Sequence, residues 1–165
     1  MLLIHALSAM LALVTGGVLL VADKRQPLHG RLGVLYHWTM LVVAVSALTM
    51  SAMRGRAVIF TYLTPPSYAA ALIAYLSAVW RWRGWLRWHI AGQSASFIAL
   101  ITGFLIQAAP RAMPADFFAA HRTVIIWALL LTPALAAQPL IARTQARWNR
   151  RRPNAPIAAE SLRAA

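Results

Sequence analysis

Long apolar runs, separated by short charged segments, make up most of the chain. The first run covers residues 2–22 and holds only three polar side chains, His5, Ser8 and Thr15. A helix needs about 20 consecutive apolar residues to cross the hydrocarbon core of a bilayer. The run therefore predicts a spanning helix. No basic residue precedes Asp23, whereas a cleaved signal peptide begins with a basic region, so we expect this helix to be retained.

The charged segment 23–33 contains Pro27 and Gly30, residue types that commonly interrupt helices. We therefore interpret it as a loop. The next apolar run predicts a second span over 32–53, which ends at a pair of arginines, Arg54 and Arg56.

The third apolar run, 57–80, is interrupted by Pro65 and Pro66. Proline inside a helix removes a backbone hydrogen bond and clashes with the preceding turn. Two interpretations follow. The whole of 57–80 is one span, or Thr64 caps a shorter helix over 65–80 while 57–63 lies at the membrane surface.

Two further spans are predicted, over 89–109 and 118–142. Arginines and tryptophans alternate in 81–88, as in the aromatic belts found at headgroup level. Such a segment can also bind single-stranded nucleic acid, but its place between two runs of spanning length favours the membrane interface. The basic tail 143–165 is expected to be disordered and to bind anionic lipid headgroups.

The composition agrees with an all-α polytopic membrane protein of five helices, with residues 1–142 as its transmembrane domain. Hydrophobic residues make up 61% of the chain and charged residues 12%, about half the roughly 25% of a soluble domain. Cysteine is absent, which excludes disulfides, thiolate catalysis, iron–sulfur clusters and covalently attached haem. One lysine stands against fifteen arginines, a bias that suggests a bacterial gene and hence a bacterial inner membrane.

The basic residues fall mainly on one side of this five-span topology. Four of them lie on one side, namely Arg54, Arg56, Arg111 and Arg122. Twelve lie on the other, namely Lys24, Arg25, Arg31, Arg81, Arg83, Arg87, Arg143, Arg147, Arg150, Arg151, Arg152 and Arg163. Cytoplasmic loops carry the excess of Lys and Arg, so we expect the N-terminus outside and the C-terminus in the cytoplasm. The net charge of +13 thus reflects topology, and nucleic acid is not an expected partner.

Several short motifs resemble a known family. They are Gly16-Gly17 near the end of the first run, His29-Gly-Arg-Leu-Gly33, Pro65-Pro66, and His89 with a later Gly103. Over about residues 10–113 the chain resembles the bacterial predicted-membrane-protein family catalogued as domain of unknown function twenty-three-oh-six. The arginine that usually follows the first histidine is here displaced by one place, to Arg31. The resemblance implies a membrane protein and no established activity.

Acidic residues are too few and too peripheral for most membrane chemistry. Asp23, Asp116 and Glu160 are the only ones, and none lies deep within a predicted span. Ion-coupled carriers usually place ionisable or broken-helix sites near the bilayer midplane. No hydrolase or phosphate-binding motif is present either, so enzymatic activity is not indicated.

Histidines are the best candidates for chemistry, because neutral imidazole is a good metal ligand. His37 and His89 lie on the same side of adjacent spans, where they would ligate haem b axially or bind another metal. Three nearby arginines would neutralise the haem propionates, namely Arg31, Arg83 and Arg87. Gln93, one turn after His89, would face the same cavity or bond another helix. Alternatively, both histidines simply hydrogen-bond headgroups at the interface.

Two further functions stay open at this stage. One is a small redox protein that interacts with quinone. The other is a subunit or assembly partner of a larger membrane complex, or a homo-oligomer. Ladders of small residues in the fourth span favour this second function, because they allow another helix to approach closely, namely Gly92/Ser96 and Ala95/Ala99/Gly103.

Overall fold

A computed structural model describes residues 1–22, 27–55 and 59–150. Within these ranges the chain forms five α-helices, namely α1 (Leu2–Val21), α2 (Pro27–Met53), α3 (Ile59–Trp80), α4 (Trp85–Ala112) and α5 (Ala115–Arg150). The all-helical fold class is confirmed. Four of the helices, α1, α2, α4 and α5, are long and apolar enough to cross a membrane. Among the described helices α3 falls outside that set, because two prolines and three tyrosines lower its hydropathy.

The prediction of a loop over 23–33 is wrong for its second half, because α2 begins at Pro27. Proline is well tolerated in the first turn of a helix, where its missing N–H would have no partner in any case. Gly30 costs about 1 kcal/mol relative to alanine, which the long apolar helix that follows offsets. His29 and Gly33 therefore lie on the first two turns of α2. Residues 23–26 lie outside the described part.

α3 is continuous from Ile59 to Trp80, with Pro65 and Pro66 inside it, so the shorter helix over 65–80 is wrong. Packing on both sides of the prolines accounts for this result. Before them, the hydroxyls of Ser51 and Thr61 join α2 to α3. After them, Ala71 and Ala74 are buried. Prolines are tolerated in membrane helices where neighbouring helices support the interrupted backbone.

The last two helices are longer than predicted. α4 begins at Trp85, after Gly84 in a left-handed conformation with φ of 77°. α5 extends to Arg150, so the expected disorder is wrong for 143–150, and 151–165 lies outside the described residues. Arginines and lysines near a membrane helix end can extend their charged groups toward the interface, so charge alone does not end a helix there.

The first four helices form a bundle, and α5 packs against α4 on its outside. Neighbours along the chain pack together, and α1 closes the bundle through a smaller contact with α4. No Cα atom in the described part of α2 lies within 8 Å of one in α4, so these two helices are diagonal. The core between them is built from six buried residues, namely Ala12, Leu19, Tyr36, Met40, Ala71 and Leu100.

Candidate functional site at one end of the bundle

Two histidines meet across the diagonal of the bundle. His29, on the first turn of α2, and His89, on the first turns of α4, have ring centroids 6.5 Å apart and planes at 72°. Both rings are partly buried. α2 begins at Pro27, so His29 belongs to the helix and the helix fixes the direction of its side chain. In a loop that direction would not be fixed. The sequence predicted that His89 pairs with His37, whereas the histidine ring that lies near His89 in the structure is that of His29.

A hydrogen bond orients the His89 ring. Its Nδ1 lies 2.9 Å from the carbonyl oxygen of Ala74 on α3. A carbonyl oxygen only accepts, so Nδ1 carries the proton and donates. The other ring nitrogen, Nε2, then keeps its lone pair. Histidines that bind metals nearly always donate their second ring N–H to a carboxylate or carbonyl in this way.

His37 lies elsewhere, against α3. Its ring is stacked on Tyr75 at 4.2 Å and 9°, and Tyr68 and Trp38 lie at 5.8 and 5.6 Å. It is 5% exposed, and its Nδ1 has no hydrogen-bond partner within the described part of the chain. Among the described residues no ring contact joins His37 to His89. The predicted pair is thus not brought together, because His37 follows His29 by eight residues, about 12 Å along the helix at 1.5 Å per residue, and faces another helix.

The three arginines of the predicted site lie at the same end of the bundle as the histidine pair. Arg31 follows His29 by two residues, and Arg87 precedes His89 by two, so both are on the same turns. Arg83 lies in the turn before α4. All three side chains are exposed. They give this end of the bundle a positive charge.

A second contact across the diagonal fixes the register of α2 against α4. About two turns below the histidines, the hydroxyls of Tyr36 and Ser96 lie 3.0 Å apart. Both pairs join residues 60 positions apart in the chain. The two helices therefore run parallel. Gly33 of α2 then lies at the level of Gln93 of α4, between the two contacts.

The space beside Gly33 is open at this intermediate level. A Cβ atom built on Gly33 would meet no other helix in the described part of the chain within 4 Å. Gln93 is partly buried, and its amide Nε2 is buried without a hydrogen-bond partner among the described residues. Below this level the bundle closes tightly, because a Cβ on Gly16 would come within 3.0 Å of Tyr36 and would collide with Phe97. The histidine pair thus lies above a level at which α2 carries no side chain, and that level lies above the packed contacts of Gly16.

The sequence made His89 and Gln93 candidates, but it assigned His29 to a loop and gave Gly33 no role in a site. The available signal was the spacing of four between His29 and Gly33, because residues four apart lie on the same helix face. That signal applies only inside a helix, and the presence of Gly30 had led to the prediction of a loop.

At this end of the bundle the described residues offer two protein ligands, His29 and His89. They contain no group of three or more His, Cys, Asp and Glu side chains able to hold a metal ion. A structural zinc site uses four protein ligands, and a catalytic one usually three. A pair of imidazoles instead suits a metal whose remaining ligands come with it, as in haem.

Comparison with known proteins adds no relative. No family model, no curated protein and no solved structure matches the chain. The resemblance to the family of unknown function stays a prediction.

Proposed function

We propose that this chain is a multi-pass protein of a bacterial inner membrane that holds a b-type haem between His29 and His89. The observation that carries the proposal is the juxtaposition of these two rings across the bundle, at 6.5 Å. The proposal keeps the haem hypothesis of the sequence analysis and replaces His37 by His29.

The distance between the rings suits shared ligation. An iron bound by one nitrogen of each imidazole would hold the ring centroids about 6 to 6.5 Å apart, if each bond is close to the 2.0–2.1 Å of other metal–imidazole bonds. The hydrogen bond from His89 to Ala74 leaves Nε2 as the free nitrogen on that side. Such a bond also raises the basicity of the ligand.

The arginines at this end would hold the propionates of the haem. Arg31 and Arg87 lie within two residues of the two ligands, and Arg83 lies in the adjacent turn. Arginine forms paired, charge-assisted hydrogen bonds with carboxylates. Bound haem supplies one-electron transfer, so the protein would act as an electron carrier that exchanges electrons with membrane quinone.

The parallel course of α2 and α4 supports the five-span topology. Both helices are long and apolar enough to cross. If both cross in the same direction, the chain must return between them, and α3 is the helix that connects them. With five spans, the positive-inside rule would put the arginine-rich end in the cytoplasm.

An absorption spectrum tests the haem proposal. The protein, expressed with added haem precursor and purified in mild detergent, should show a low-spin spectrum with about one haem per chain, as axial imidazoles produce. His29→Ala and His89→Ala should each abolish that spectrum while membrane insertion stays intact. His37→Ala should retain it, because that ring packs on Tyr75.

His121 offers a matched control. It is an exposed histidine near the start of α5, at the opposite end of the bundle, and its Nδ1 is bonded to the carbonyl of Phe117. His121→Ala should leave the spectrum unchanged. A folded wild-type protein that neither contains haem nor takes it up when haem is supplied would refute the proposal.

A role within a larger complex is a second candidate, and α5 favours it. This helix packs against α4 and leaves large apolar side chains outward, with Val124 69% and Leu135 67% exposed. Lipid covers such a face, and a partner helix covers it equally well. Because the chain has no cysteine, Val124→Cys introduces a single thiol for crosslinking in native membranes. A discrete crosslinked product with Val124→Cys, absent for the buried control Ala74→Cys, identifies a partner or a second copy. If Val124→Cys gives no crosslinked product and is labelled only by lipid probes, the result argues against a partner helix on this face.

A further inference from the structure

We infer that Gly33 and Gln93 form a slot for the buried edge of a planar macrocycle, with Gly33 as its open wall and Gln93 as its polar wall. This inference rests on the haem proposal above and deepens it, because it assigns two residues that ligate no metal.

The level of the slot follows from that of the two histidines. A macrocycle held by His29 and His89 would lie between α2 and α4 and would extend toward the bundle interior. The next residues on that side are Gly33 and Gln93, each four residues further along its helix, about 6 Å at 1.5 Å per residue.

Gly33 keeps this level free of side chains on α2. It shares a helix face with His29, four residues earlier. The space in front of it holds no atom within 4 Å of a Cβ position. A large side chain there would point into the volume that the macrocycle needs.

Gln93 supplies the polar wall on α4. Its amide Nε2 is buried and has no partner among the residues that the structure describes, and a buried donor without a partner carries a cost in free energy. Facing a macrocycle, the positive end of the N–H dipole would favour the reduced, more electron-rich state. Hydrogen bonding and polarity around a haem are among the properties that set its reduction potential.

A pair of glycine variants tests the open wall. Gly33→Leu should reduce haem uptake at least tenfold, whereas Gly30→Leu should bind as wild type. Gly30 is the matched control, since it is exposed, lies three residues away on α2 and also has no atom near its Cβ position. Both changes favour the helix, and circular dichroism with size-exclusion chromatography verifies that both variants are folded.

A second pair tests the polar wall by potentiometric titration. Gln93→Leu should retain the low-spin spectrum and lower the midpoint potential. Gln107→Leu, at an exposed position near the other end of α4, should change neither.

The outcomes separate the two proposals. A wild-type protein that binds no haem overturns both. A wild-type protein that binds haem, together with a folded Gly33→Leu variant that binds equally well, overturns the slot and leaves the ligands in place. An unchanged midpoint potential in Gln93→Leu removes Gln93 from the slot.

Discussion

Gly92 sets how closely α3 and α4 approach, and we predict that even an added methyl group there forces them apart. A Cβ atom at this position would lie 2.5 Å from the carbonyl oxygen of Ala70 and 3.1 Å from the Cβ of Ala74. Close carbon–oxygen contacts between packed helices lie at about 3.3 to 3.6 Å. Because the atom it meets belongs to the backbone, the helices must separate by roughly 0.8 Å to reach even the shorter of these distances.

The free-energy cost of Gly92→Ala combines two opposing terms. Overpacking a well-packed contact costs about 1 to 3 kcal/mol, while replacing glycine by alanine within a helix gains about 0.8 to 1 kcal/mol. Gly103→Ala on the same helix isolates the first term. Its Cβ would meet the ring of Phe60 at 3.8 Å, an ordinary contact. The helix-propensity gain is common to both variants, so the difference in stability between them should be about 1 to 3 kcal/mol.

The measurement is unfolding in mixed micelles, followed by circular dichroism, for wild type and both variants. The Gly92→Ala variant should unfold at a lower concentration of the denaturing detergent, or at a lower temperature, than the Gly103→Ala variant. It should also bind haem less well, because the bond from His89 to the Ala74 carbonyl, now 2.9 Å, crosses the same contact. A Gly92→Ala variant as stable as Gly103→Ala would refute the argument that this glycine sets the helix separation.

Two further predictions concern the membrane. Reporters fused after Met53 and within 111–116 should be found outside, and those within 24–31, within 81–87 and after Arg147 inside; an outside location at 81–87 would contradict five spans. A peptide of the basic tail should bind anionic vesicles and be released by salt or when four arginines are changed to glutamine, since each basic residue is worth about 1 kcal/mol near such a surface. Those residues are Arg147, Arg150, Arg151 and Arg152. A wild-type peptide that does not prefer anionic over neutral vesicles would leave these arginines as a topology signal alone.

The helices could be predicted from the sequence because their signal is local. A run of about 20 apolar residues is a property of consecutive positions, and each of the five predicted spans corresponds to a helix in the structure. The ends of the helices were predicted less accurately than the helices themselves. α2 begins among charged residues at Pro27 and α5 continues past Arg143, because a helix continues beyond the hydrocarbon core wherever its polar side chains reach the interface.

The histidine pairing required information that is not local. Which histidine faces His89 depends on the rotation of α2 and on its register against α4. A helix that starts at residue 32 would leave His29 in a loop, and His37 is then the first histidine of the span. The true start at Pro27 makes His29 helical, and the ring of His37 is occupied by stacking on Tyr75.

Two spacings of seven connect the site to the core of the bundle. His29 precedes Tyr36 by seven residues, and His89 precedes Ser96 by seven. Seven residues are close to two helical turns, so each pair lies along one seam of its helix. The Tyr36–Ser96 contact is buried, whereas the histidine contact lies near the end of the bundle. The buried contact therefore fixes the height of α2 against α4, and the same register brings the two imidazoles opposite one another. A sliding of α2 by one turn, about 5.4 Å, would break both contacts together, so the geometry of the site depends on a hydrogen bond deeper in the bundle.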